Sequence, residues 1–211
     1  MNLAPPASPD TTLPKHRLRV RGLQSAHARP FDLQLDGGEC VVLMGRSGSG
    51  KTVLLRLIAD LDPGSGHVTL DGCPREAMPA PAWRRQVIYQ AAEPAWWAPT
   101  VREHLPAPDS PQTLQGIARL GLDPALLDAD LTRLSTGERQ RFALLRSLAQ
   151  RPAVLLLDEP TAALDAASTQ ACEALLRDEL ARGLAVLWVT HSPEQAQRVG
   201  HRRIVLDRAP A

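Results

Sequence analysis

The chain has 211 residues, 44% of them apolar and 22% charged, with 24 basic against 23 acidic side chains and a formal net charge of +1. That length can bury one sizeable core, and the near-neutral balance argues against a protein built to bind nucleic acid through a basic surface. The three cysteines, Cys40, Cys73 and Cys172, are odd in number and lack CxxC spacing, so no disulfide framework or zinc site is expected, and a reducing compartment is.

Residues 1–14 are rich in Pro, Ala, Ser and Thr and read as a flexible tail, with the folded domain expected over 15–211. Leu18 and Val20, then Phe31, Leu33 and Leu35, alternate with polar residues. Two half-exposed strands are expected there, separated by a loop over 24–30. Val41-Val42-Leu43-Met44 is continuously apolar, as a strand buried on both faces should be, and a helix is expected over 51–60. Val68 and Leu70 suggest another half-exposed strand, which ends at the turn Asp71-Gly72.

From about 91 to 150 no strand-like run occurs. Prolines are frequent as far as Pro111, and Leu114, Ile117, Ala118 and Gly121 then follow at helical spacing. This stretch reads as a mostly helical lobe inserted between sheet strands. Val154-Leu155-Leu156-Leu157 and Ala185-Val186-Leu187-Trp188-Val189 are again buried-strand runs, with helices expected over 167–182 and 193–199 and a last strand at Ile204-Val205-Leu206. Buried strands alternating with helices predict an α/β fold with a mostly parallel core sheet. No apolar run approaches the ~20 residues of a membrane span, and no signal-peptide-like stretch opens the chain.

Gly45-Arg46-Ser47-Gly48-Ser49-Gly50-Lys51-Thr52 fits GxxxxGK[ST] at every fixed position, between an apolar strand and an apolar helix. Triphosphate oxygens need several donors at close range, and glycines let backbone N–H groups turn inward without a Cβ in the way. The helix that follows adds its positive end. Lys51 is expected on the β- and γ-phosphates of ATP, and the Thr52 hydroxyl on Mg²⁺. Asp158 and Glu159 follow four aliphatic residues directly. Adjacent acids at a buried strand end are costly unless a cation is near. Asp158 is the expected second protein ligand of Mg²⁺, and Glu159 the group that polarises the attacking water.

With these motifs the chain resembles the ATP-binding subunits of ABC transporters from His16 onward. Leu134-Ser135-Thr136-Gly137-Glu138 looks like the family's signature motif, and Gln90 sits where its glutamine loop does. Ala163-Leu164-Asp165 resembles the D-loop, and His191 in Val189-Thr190-His191 the switch histidine. The resemblance implies a P-loop NTPase fold with a small antiparallel β subdomain and an inserted helical subdomain. It also implies a homodimer in the ATP-bound state, closed head to tail over two nucleotides. Each ATP then lies between the phosphate loop of one copy (Gly45, Ser47, Gly48, Ser49, Gly50, Lys51, Thr52) and Ser135 and Gly137 of the other. Gln90 is implied to contact Mg²⁺ and the water, and His191 the γ-phosphate. Ser135-x-x-Glu138 is equally a plain capping box before an apolar helix, and both readings can hold together.

Two departures stand out. The usual signature is LSGGQ, and here Thr136 and Glu138 occupy its third and fifth positions. The family stacks adenine on an aromatic residue ahead of the phosphate loop, whereas the segment 24–30 offers only His27, so weak base selection is expected. The strongest local resemblance is to the ATP-binding subunit of small bacterial iron-export ABC systems, through Ala185 to His191, the short length and the segment after Gln90. The six histidines lack metal-site spacing, so any transported ion falls to a partner. An integral membrane permease is that implied partner, with the chain peripheral on the inner, cytoplasmic face of the cell membrane and no nucleic acid expected. Trp96-Trp97 could pack within the helical lobe or form a groove for a permease helix. A soluble ABC ATPase acting on nucleoprotein, a regulatory ATP-holding module and a transporter of another small substrate are the alternatives.

Overall fold

The computed structural model describes residues 16–206, and the tail expected over 1–14 lies outside them. The strands are β1 (Leu18–Ser25), β2 (Ala28–Leu35) and β3 (Cys40–Gly45), and then helix α1 (Lys51–Ile58). There follow β4 (Ser65–Leu70), β5 (Cys73–Pro74), α2 (Ala80–Gln86), β6 (Val87–Gln90), α3 (Pro111–Arg119) and α4 (Thr136–Ala149). The chain continues through β7 (Val154–Asp158), α5 (Ala166–Ala181), β8 (Ala185–Val189), α6 (Pro193–Val199) and β9 (Arg202–Leu206).

Two sheets form. One is antiparallel in the order β2-β1-β4-β5, and the other is parallel in the order β6-β7-β8-β3-β9. Every residue of β7 and β8 is buried, which is why their sequences are apolar without alternation. The antiparallel strands bury alternate residues such as Leu18, Val20, Leu33 and Leu35. One apolar cluster joins these to α1 and one face of the parallel sheet. The other joins Val42, Val186 and Trp188 to α4, α5 and the segment around α3. The α/β architecture expected from the strand and helix alternation is the one observed.

Three local differences have physical causes. The loop expected over 24–30 shrinks to a turn at Ala26-His27, because β1 carries irregularities between Val20 and Ser25 that hide its alternation yet keep it paired. α2 begins with prolines in its first turn, where a missing N–H costs nothing, so the segment looks like a loop in sequence. β6 is only four residues long and too short for periodicity to reveal. Among the described residues no helix is long and apolar enough to cross a membrane.

α2 matters for the helix that carries the phosphate loop. The buried Trp83 indole N–H donates to the Ile58 carbonyl at 3.0 Å, satisfying an acceptor in the last turn of α1. Trp83→Phe keeps the ring but orphans that carbonyl, and is expected to lower stability by about 1–3 kcal/mol in urea denaturation.

Candidate active site

The turn from β3 into α1 is set by glycines. Gly45, Gly48 and Gly50 have φ of 146°, 76° and 91°. A Cβ on Gly45 would lie 2.6 Å from the Leu206 carbonyl oxygen, so that position excludes any other residue sterically as well as conformationally. Gly50 forms the N-cap of α1 with no side-chain cap, leaving the first-turn N–H groups without a side-chain acceptor. Lys51 is only 7% exposed. Its ammonium donates to the carbonyls of Gly45 at 2.9 Å and Arg46 at 3.1 Å and pairs with no carboxylate among the described residues. The Ser49 hydroxyl is buried without a partner. A buried cation held by carbonyls, beside free N–H and O–H donors, suits an anion with several oxygens.

β7 delivers the two acids to separate partners. Asp158 is buried and accepts from the Thr52 hydroxyl at 2.7 Å and the Tyr89 hydroxyl at 3.1 Å. Burial first, and the nearby Asp158 charge second, push the Tyr89 hydroxyl well above its usual range, so it stays a donor. Glu159 leaves the strand at φ 49°, an uncommon conformation for a non-glycine residue, with its N–H bonded to the Val189 carbonyl at 3.1 Å. Its carboxylate lies 3.0 Å from Nε2 of His191. Ser47 to Thr52, Glu159 and His191 share one cavity of about 690 Å³ with residues 24–30. The hard oxygens of Thr52 and Asp158, beside a phosphate-shaped cradle, fit a magnesium ion that takes its remaining ligands from phosphate and water.

Beneath this cavity a buried network joins the segment of Glu159 to that of His191. The Thr190 hydroxyl donates to Gln195 Oε1 at 2.7 Å, and Gln195 Nε2 donates to Thr161 Oγ1 at 2.9 Å and Glu173 Oε1 at 3.1 Å. Arg198 donates to both Glu173 oxygens at 2.8 and 3.1 Å. Burial raises the Glu173 pKa, but the bonds from Arg198 and Gln195 outweigh it and hold the carboxyl below its usual range. Sequence reading missed these residues. The one available signal was an acid at the core-facing position of α5, between Cys172 and Leu175, which demands a partner.

Gln90 ends β6 at 3% exposure. Its Oε1 accepts from the Ser147 hydroxyl of α4 at 3.3 Å, and its amide nitrogen is buried without a partner. Ser135 is the N-cap of α4, and its hydroxyl accepts from the Glu138 N–H at 3.2 Å. Glu138 reaches back to the N–H and hydroxyl of Ser135 at 2.8 and 2.7 Å, and these bonds hold its carboxyl below the usual range. The charge at the signature's fifth position is thus engaged in the cap. A Cβ on Gly137 would lie 3.3 Å from Leu164, so Ala163-Leu164 packs against the signature glycine. Ser135 and Gly137 do not line the cavity that holds Lys51 and Glu159. Within one chain the two halves of the expected site stand apart.

A strand, a glycine loop with a buried lysine, and a second strand ending in a threonine-bonded aspartate define a P-loop nucleoside triphosphatase. The model of the ABC transporter family matches residues 28–162, and the chain belongs to that family as an ABC-type ATPase domain. The rice protein STAR1 (Oryza sativa subsp. japonica) is 40% identical over 87% of this chain, which spans 58% of the rice protein's length. The aliphatic sulfonates import ATP-binding protein SsuB 2 of Agrobacterium fabrum is 37% identical over 84% of this chain and 69% of its own. The probable iron export ATP-binding protein FetA of Escherichia coli is 34% identical over 78% of each chain. A dimeric ATP-binding cassette in a post-hydrolysis state with ADP and Pi bound superposes with TM-score 0.78 at 25% identity, over 90% of this chain and 94% of its own. An ATP-binding subunit of an ABC transporter superposes at 0.81 with 24% identity, over 95% and 89%, in agreement on the fold.

Two predictions come from this geometry. Residues 24–30 line the cavity with His27 and Arg29 but no Phe, Tyr or Trp, so GTP is expected to displace bound ATP at concentrations within about tenfold of ATP itself. Competition binding checks this, and a preference well beyond that ratio contradicts it. Gln195→Leu removes every side-chain hydrogen bond of Gln195 among the described residues, and is expected to cost about 1–3 kcal/mol in denaturant unfolding.

Proposed function

We propose that this chain is the ATP-hydrolysing motor subunit of an ABC transporter, working at the inner face of the cell membrane on a separate integral permease. The observation that carries this is one cavity in which Lys51 stands without a carboxylate while Glu159 and His191 pair at 3.0 Å. Lys51 and the glycine-loop N–H groups hold the β- and γ-phosphates. Thr52 and Asp158, with Gln90, hold Mg²⁺, which when bound neutralises charge on the phosphates. Glu159 accepts a proton from the attacking water, and its contact with His191 orients the carboxylate. With Nε2 engaged by Glu159, His191 would face the γ-phosphate through Nδ1, which donates when the ring is doubly protonated.

The separation of Ser135 from this cavity supports a second copy as the other wall. The cap at Ser135 presents the start of a 14-residue helix, whose positive end suits the γ-phosphate across the interface. ATP thus bridges two copies, and hydrolysis removes the bridge.

The permease contact falls on the segment after Gln90. His104 meets Trp96 and Trp97 edge-on at 4.9 and 4.4 Å, and Arg146 lies over both rings at 4.5 and 5.0 Å. The two tryptophans differ. Trp96 packs on the helical-side core, whereas Trp97 is 73% exposed and is the better anchor for a partner. Relatives named for sulfonate import and for probable iron export are similar to this chain in sequence, which supports a cargo chosen by the permease. Iron export rests on the likeness to FetA and on the local match from Ala185 to His191.

Glu159→Gln is expected to lower turnover at least ~100-fold while ATP with magnesium drives a stable dimer, seen by size-exclusion chromatography. A variant that stays monomeric in saturating ATP, or protein without magnesium-dependent ATP affinity, sinks this reading. Trp97→Ala is expected to weaken co-purification with the permease and leave the unfolding free energy unchanged within ~0.5 kcal/mol.

A further inference from the structure

Tyr89 is the only tyrosine of the chain and lies in β6, the edge strand of the parallel sheet beside β7. Side chains alternate along this strand: Val87 joins the apolar cluster of α1, and Ile88 joins that of α4. Tyr89 falls on the α1 side and packs against that cluster, while Gln90 meets Ser147 of α4 on the other. A phenylalanine would fill the same space, so packing does not explain the hydroxyl. The residue is half-buried, and burial alone does not force its hydroxyl onto a protein acceptor.

That hydroxyl nevertheless donates to Oδ2 of Asp158 at 3.1 Å, the same oxygen that accepts from Thr52 at 2.7 Å. Oδ1 of Asp158 accepts no hydrogen bond among the described residues and is not sealed from solvent. The carboxylate is thus divided into a held oxygen and a free one. Its two donors differ in what else they must do. A threonine hydroxyl has one proton and two lone pairs, so Thr52 can donate to Asp158 while offering its oxygen to a cation. Its position is then set by the cation as well. Tyr89 comes from the neighbouring strand, does not line the nucleotide cavity and answers to no phosphate. It is the donor on Asp158 that nucleotide binding leaves alone.

We propose that Tyr89 is a positioning residue for the metal: its hydroxyl fixes Oδ2 of Asp158 and leaves Oδ1 to the magnesium ion and its waters. The inference rests on the reading of Thr52 and Asp158 as the protein's share of the metal site. Outer hydrogen bonds of this kind orient a ligating carboxylate, and their loss typically weakens metal binding roughly 10–100-fold. Thr52 remains as a donor after Tyr89→Phe, so the lower end of that range is expected. Lys51 and the glycine loop make no contact through Tyr89, so nucleotide binding without metal should be untouched.

The test is isothermal titration calorimetry of the full chain with a non-hydrolysable ATP analogue, once in magnesium and once in EDTA. Tyr89→Phe is expected to lower the affinity measured in magnesium about tenfold, with the EDTA affinity unchanged within about twofold. A merely structural role would move both affinities together or neither. In the wild-type sequence, 3-fluorotyrosine labels position 89 alone, which keeps the test decisive if Tyr89→Phe misfolds. Its fluorine resonance is expected to shift when magnesium joins the bound analogue, and to stay in place when the analogue binds in EDTA. The proposal alone is overturned if Tyr89→Phe keeps the full gain from magnesium or loses affinity equally in EDTA. A fluorine resonance that ignores magnesium overturns it too. Wild-type protein that gains nothing from magnesium overturns the functional reading itself, and this inference with it.

Discussion

The hydrogen bond from Thr52 to Asp158 joins two segments that are 106 residues apart in sequence, and the geometry of the active site hangs on it. It spans the end of the parallel sheet: β3 leads into the phosphate loop, β7 ends in the acids, and β8 runs between them. Parallel strands deliver their C-terminal ends to one edge, so a loop after one and a carboxylate after another meet without special design. Removing the interior water there makes an unpaired Asp158 expensive, and Thr52 and Tyr89 are what hold it. Lys51 meets the same constraint with backbone carbonyls. The site is thus preorganised around charge it does not itself neutralise.

The second layer of the design is the buried Gln195 network. Thr161 follows Glu159 by two residues and Thr190 precedes His191, and a single amide side chain bonds to both. The Glu159–His191 contact at 3.0 Å is therefore supported by a fixed spacer and not by loop conformation alone. The contact of Gln90 with α4 is different in kind. It is one 3.3 Å hydrogen bond from Ser147, with the amide nitrogen unpartnered. A joint of that sort can change partners at small cost, which suits a residue placed between the sheet and the helical segment.

Much of this was legible beforehand. The phosphate loop, the acids after four aliphatic residues and the buried-strand runs are local patterns, because close approach to phosphate and two-sided burial each restrict residue choice directly. The capping box at Ser135 was equally readable, and Glu138 does reach back to it. By contrast α2, β6 and the hairpin turn at Ala26-His27 escaped. Prolines at a helix start, a four-residue strand and an irregular strand each blur the periodicity that such reading needs. Gln195 and Thr161 carry no pattern at all, since their importance lies only in whom they touch.

What the sequence by itself determined is a set of local patterns, a glycine-rich loop that ends in Lys51-Thr52 and two acids after a buried strand, and the family they belong to. Each of these depends on residue types at fixed short spacing, and backbone sterics and desolvation enforce that spacing within a few residues. What only the tertiary structure decided is separation and contact. It set Ser135 outside the cavity that holds Lys51, and it buried Trp96 against the core while leaving Trp97 exposed. Those outcomes depend on how distant segments pack, and pairwise spacing along a chain does not encode the distance between residues whose neighbours are chosen by the core.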